Sequence, residues 1–81
     1  MKIPRDIGTD ELVKLLSKYG YRVTRQKGSH LRLTTDKNGE HHITIPQHDL
    51  LKIGTLNSIL NDIAEYLKID KQTLIAELFG K

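Results

Sequence analysis

Three short segments in the middle of this chain alternate polar and apolar residues, and all three alternate on the same parity. Tyr21 and Val23, Leu31 and Leu33, and Ile43 and Ile45 are odd-numbered and apolar. Between and beside them stand Arg22, Thr24, Gln26, His30, Arg32, Thr34, His42 and Thr44, all polar. Period-two alternation marks a strand with one face buried and the other in water. It predicts strands over residues 21–26, 30–34 and 41–45. Residues opposite one another in an antiparallel ladder share a face, so apolar must meet apolar, and a slip of one residue reverses every side chain. Odd can pair with odd only across a connection holding an odd number of residues.

For the second hairpin this rules out the two-residue turn that Asn38-Gly39 alone would suggest. It selects a three-residue loop, Lys37-Asn38-Gly39, with Gly39 in the left-handed position. Leu33 then faces Ile43, Arg32 faces Thr44 and His30 faces Pro46. The same argument predicts an odd-length loop around Lys27-Gly28-Ser29 in the first hairpin, and it leaves Arg25 on the apolar parity, at the hairpin edge. Pro46 has no N–H to give to a ladder and ends the third strand.

Helical spacing brackets these strands. Leu12, Val13, Leu15, Leu16 and Tyr19 form one apolar stripe, predicting a helix over residues 9–19. Thr9 is its expected cap, Asp10 and Glu11 suit the positive helix end, and Gly20 suits the position past the last turn. Leu56, Ile59, Leu60, Ile63 and Leu67 predict a second helix with Thr55 as cap. Asp70 caps a short last helix carrying Leu74, Ile75, Leu78 and Phe79. The predicted fold is α+β, in the order αβββα: a three-stranded antiparallel sheet with helices on one face, plus a short C-terminal helix.

With 81 residues and 37% hydrophobic content, the chain is read as one domain over residues 1–81 with a two-layer core. It has no cysteine, so neither a disulfide framework nor thiolate chemistry is available, which suits the cytoplasm. No long apolar run suggests a signal peptide or a membrane span. The net charge of +3 is mild. Its distribution says more: residues 22–32 hold Arg22, Arg25, Lys27 and Arg32 with no acid among them, while the acids lie mainly in the N-terminal segment and the C-terminal third.

Inside that basic stretch is Gly28-Ser29-His30. Histidine moves protons near neutral pH, and clustered Arg and Lys attract phosphate. RNA cleavage needs both: a base to take the 2′-hydroxyl proton, an acid for the departing 5′-oxygen, and cations for the charge that develops on phosphorus. The parity puts His30 on the polar face beside Arg32 and Arg22. Lys27 and Arg32, flanking the histidine, are the leading phosphate contacts. Gly28 serves the turn and can let phosphate approach the backbone, and Ser29 can bond either the turn or a phosphate. An exposed strand histidine and a solvated basic face would show the same pattern without any chemistry.

Of the other histidines, His42 lies about 13 Å from His30 along the ladder, too far to share one phosphate with it. His48, past Pro46, is the better-placed secondary candidate. His41 falls on the apolar parity as a strand-end residue. His41 and His42 point to opposite faces and no helical i, i+4 histidine pair exists, so no metal site is expected.

In this order of elements the chain resembles the HicA family of small toxins, also described as YcfA-like proteins. The resemblance rests on the first helix, residues 12–20, and on Gly20-Tyr21, Arg25-Gln26-Lys27-Gly28-Ser29-His30, Pro46-Gln47-His48 and Gly54-Thr55-Leu56 with Ile59-Leu60, over about residues 3–67. It implies a fold like that of double-stranded-RNA-binding domains and activity as a cofactor-free endoribonuclease cleaving mRNA. It also implies His30 as the catalytic histidine and a HicB-type antitoxin as partner. Many members carry an aromatic shortly after the histidine, where this chain has Leu31-Arg32-Leu33. Two readings from other classes compete: a non-catalytic RNA-binding module using the same face, and a protein-interaction domain.

Overall fold

A computed structural model describes residues 3, 4 and 6–80. Its elements run α1 (Thr9–Leu16), a 3-10 turn (Ser17–Tyr19), β1 (Arg22–Lys27), β2 (His30–Thr35), β3 (His41–Pro46), α2 (Ile53–Leu67) and α3 (Lys71–Phe79). The strands form one antiparallel sheet in the order β1-β2-β3. The fold is the α+β arrangement expected.

One apolar core joins the sheet to all three helices. Leu31, Leu33, Ile43 and Ile45 supply the sheet side, Tyr21 packs at the entry to β1, and Leu12, Leu16, Leu56, Leu60, Ile63, Leu74 and Ile75 close over them. Burying such side chains stabilises by about 1.5–3 kcal/mol each. That favours the register which keeps the odd parity inside. The ladder obeys it: Leu33 pairs with Ile43, Arg32 with Thr44 and His30 with Pro46. The connection between β2 and β3 is odd, as required, but runs over five residues, 36–40. Gly39 is left-handed there at φ 95°.

The first hairpin departs from expectation. Lys27 pairs with His30 across a two-residue turn, Gly28-Ser29, with Gly28 at φ 59° in the first central position. An even turn should set apolar against polar. A β-bulge cancels the mismatch: Arg22 and Val23 pair with Thr34 and Leu33, then Arg25 pairs with Arg32, leaving Thr24 as the extra residue. The Thr24 hydroxyl donates to the Arg32 carbonyl at 3.3 Å and meets the Thr34 hydroxyl at 2.8 Å. Beyond the bulge every side chain of β1 has changed face. Arg25 therefore lies on the polar face with Arg32, not on the apolar parity. As the sheet edge, β1 buries none of its residues, and Val23, expected in the core, is 45% exposed.

Two expected caps are also corrected. The N-cap of α1 is Gly8, and Thr9 is its first helical residue, only 1% exposed. Its hydroxyl donates to the Pro46 carbonyl at 2.6 Å and accepts from the His48 N–H at 3.0 Å, tying α1 to the end of β3. The second helix starts at Ile53 after Lys52, two residues before Thr55. Asp70 caps α3 as expected, accepting from the Gln72 N–H at 3.0 Å. Gly20 ends the first helical segment at φ 85°, also as expected.

Candidate functional site

The open face of the sheet is built from the even residues of β2 and β3 and from the residues of β1 that the bulge turns toward them. Toward the Gly28-Ser29 turn this face holds a hollow of about 280 Å³ lined by Arg25, Lys27, His30, Arg32 and Thr44. His30 pairs with Lys27 on one side and Pro46 on the other, so the central strand fixes its place. The turn beside it is braced: the Gln47 N–H donates to the Ser29 carbonyl at 2.6 Å, and the Gln26 amide donates to the Gln47 side chain at 3.1 Å.

The charge at this place is uncompensated. Three cationic side chains line the hollow and no acid does. Among the described residues, the close contacts between basic and acidic side chains on or beside the sheet are His41 with Asp62 and His42 with Glu40. Neither involves Arg22, Arg25, Lys27 or Arg32. Like charges gathered without partners cost stability. An anion entering the hollow relieves that repulsion and gains charge-assisted hydrogen bonds.

Of the residues singled out in the sequence, His30, Lys27 and Arg32 come together in one hollow. Gly28 and Ser29 form the turn joined to it. Arg22 lies further along the face, lining a second hollow with Arg25, Arg32 and His42. His48 is placed elsewhere: it lines an acid-walled hollow with Asp6, Asp10, Glu11 and Asp49, held there by the Thr9 contacts. Arg25 also lines the hollow around His30, although parity extended along β1 places it on the apolar side. Its signal was indirect, since a glycine-first two-residue turn is incompatible with the shared parity unless one strand carries an extra residue.

His41 and His42 diverge as expected. His42 bonds the Thr34 hydroxyl at 2.8 Å and Glu40 at 2.8 Å on the open face. His41 turns to the helix side, stacked on Tyr66 with ring centroids 4.4 Å apart and bonded to the Tyr21 hydroxyl at 2.7 Å. Burial, reinforced by the nearby Tyr66 and Asp62, pushes the Tyr21 hydroxyl well above the ordinary tyrosine range.

Residues 9–64 match the family described as the HicA toxin of bacterial toxin–antitoxin systems. The chain belongs to the HicA toxin family. The match begins with α1, takes in the whole sheet and ends within α2, so every residue of the cationic hollow lies inside it and α3 lies beyond. A HicA protein is the toxin of such a system, with an antitoxin as its partner. No curated protein and no solved structure matches the chain. No described helix is long and apolar enough to cross a membrane.

Proposed function

We propose that this HicA chain is an endoribonuclease that cleaves mRNA by proton transfer at His30, and that a HicB-type antitoxin restrains it by covering the open sheet face. The reading is carried by His30 standing among Arg25, Lys27 and Arg32 with no acid lining the hollow. The arrangement suits cleavage by the RNA's own 2′-hydroxyl. His30 moves the proton, the 2′-oxygen bonds to phosphorus, and the bond to the 5′-oxygen breaks as that oxygen is protonated. One product ends in a 2′,3′-cyclic phosphate and the other begins with a 5′-hydroxyl. Arg25, Lys27 and Arg32 hold the phosphate and stabilise the charge gathering on its oxygens. Gly28 and Ser29 shape the turn that presents the histidine, and Arg22 extends the cationic track. His48 has no part in this scheme.

The test is purified protein on single-stranded RNA, alongside expression in growing cells. Wild type should cleave and arrest growth. His30→Ala should cleave about 10²–10⁴-fold more slowly, as expected for removing one proton-transfer group, and should spare growth. RNA bound but left intact by wild type would refute the enzymatic reading, and preserved growth arrest in His30→Ala would refute the assignment of His30.

A further inference from the structure

The second hollow on the open face is not needed to cleave a phosphate at His30, and its construction asks for a ligand of its own. It encloses about 470 Å³ around Arg22, Arg25, Arg32 and His42. Its floor is fixed by a hydrogen-bonded chain across all three strands. Thr24 meets Thr34 at 2.8 Å, Thr34 meets the His42 ring at 2.8 Å, and the other ring nitrogen of His42 faces Glu40 at 2.8 Å. The bulge at Thr24 sets up both ends of this arrangement. It supplies the first hydroxyl of the chain and turns Arg25 to the same face as Arg22.

We propose that Arg22, Arg25 and Arg32, over a floor held in place by His42, form a second seat for a phosphodiester group of the same RNA strand. The inference rests on the ribonuclease reading of His30. Arg25 and Arg32 line both hollows and bridge the two seats. Thr34, which pairs with His42, lies four residues along β2 from His30, or about 13 Å. The second seat therefore holds a phosphate that is not the immediate neighbour of the cleaved one, and the minimal good substrate spans several nucleotides.

The seat reads backbone, not base. The three tyrosines and one phenylalanine are the chain's aromatic residues. Tyr21 is buried, Tyr66 stacks on His41, Tyr19 bonds Glu77 and Phe79 packs against the core, so none of them offers this face a platform for stacking. Glu40, the single acid lining the hollow, opposes an incoming phosphate.

The experiment measures binding of 2′-O-methyl oligonucleotides, which lack the attacking hydroxyl, from dinucleotide to octanucleotide and in several base sequences. Wild-type affinity should step up once the strand reaches the second seat, with little dependence on sequence. Arg22→Ala and His42→Gln should shrink that step, each lowering the ratio of long-strand to dinucleotide affinity. Glu40→Gln should enlarge it, a gain that misfolding cannot produce. Arg22→Ala should also flatten the salt dependence of long-strand binding by about 0.7 in log–log slope. If dinucleotides bind at His30 but length adds nothing, or the three substitutions leave the ratio unchanged, the second seat is overturned and the His30 reading stands. If no oligonucleotide binds at all, both fall together.

Discussion

The bulge at Thr24 decides which side chains of β1 lie on the open face of the sheet, and neighbouring substitutions can expose it. Arg25 pairs with Arg32 on the open face, whereas Gln26 pairs with Leu31 and bonds Gln47. An unbulged β1 would reverse the two. Four cations, Arg22, Arg25, Lys27 and Arg32, stand on the open face without acid partners among the described residues. If each neutralises one phosphate of a single strand, the log–log salt slope of binding is about −2.8, and Arg25→Ala brings it to about −2.1. Its effect on stability should stay within about 0.5 kcal/mol, as for an exposed side chain without partners. Gln26→Ala should leave the slope alone and cost about 0.5–1.5 kcal/mol, the worth of its hydrogen bond to Gln47. The assay is fluorescence anisotropy with an uncleavable strand over a salt series at about pH 8, where imidazoles are in general neutral, beside urea denaturation of each variant. A slope that changes with Gln26→Ala but not with Arg25→Ala would refute the bulged register and the site built on it.

Three further outcomes follow from the scaffold. Thr9→Val leaves the Pro46 carbonyl and the His48 N–H without their partner, so urea denaturation should show a loss of about 1–3 kcal/mol; an unchanged midpoint would mean that the Thr9 hydroxyl does not hold this loop. Gly28→Ala should cost about 1–2 kcal/mol from backbone strain alone, because a Cβ at Gly28 meets nothing within 4 Å and only its φ of 59° resists it. A neutral Gly28→Ala would contradict the glycine-first turn. Burial raises the hydroxyls of Tyr21 and Tyr19 above the tyrosine range, helped for Tyr19 by its bond to Glu77. The folded chain then keeps its protons while the unfolded chain releases them, so this contribution is complete below about pH 10 and is lost above it. Thermal melts should show Tm falling beyond that point, less steeply in Tyr21→Phe; a wild-type Tm that stays level there would refute the shift.

The register of β2 against β3 was legible because both strands alternate strictly and have an apolar face to bury. Leu31, Leu33, Ile43 and Ile45 leave one pairing that puts all four inside. The first strand was harder. After Val23 it reads Thr24, Arg25, Gln26 and Lys27, all polar, so alternation carries no information about face there. A bulge costs nothing in buried apolar surface at such a place, and parity extended through it misassigned Arg25. The start of α2 was misread for a related reason: Thr55 has the chemistry of a cap, but Ile53 and Gly54 already continue the helix from Lys52, whose side chain caps nothing. His30 and Arg32 could be placed from sequence because they stand on the well-patterned central strand. The position of His48 could not, because it depends on the pairing of Thr9 with a loop 39 residues away.

The central claim is that the open face cleaves RNA through the substrate's own hydroxyl, with His30 moving the proton. The most direct measurement is cleavage of a defined RNA and its 2′-O-methyl counterpart by wild type and His30→Ala, with the product ends identified. The expected result is cleavage of the unmodified strand alone, by wild type alone, leaving a 2′,3′-cyclic phosphate and a 5′-hydroxyl. Cleavage of the 2′-O-methyl strand, or undiminished cleavage by His30→Ala, would contradict it.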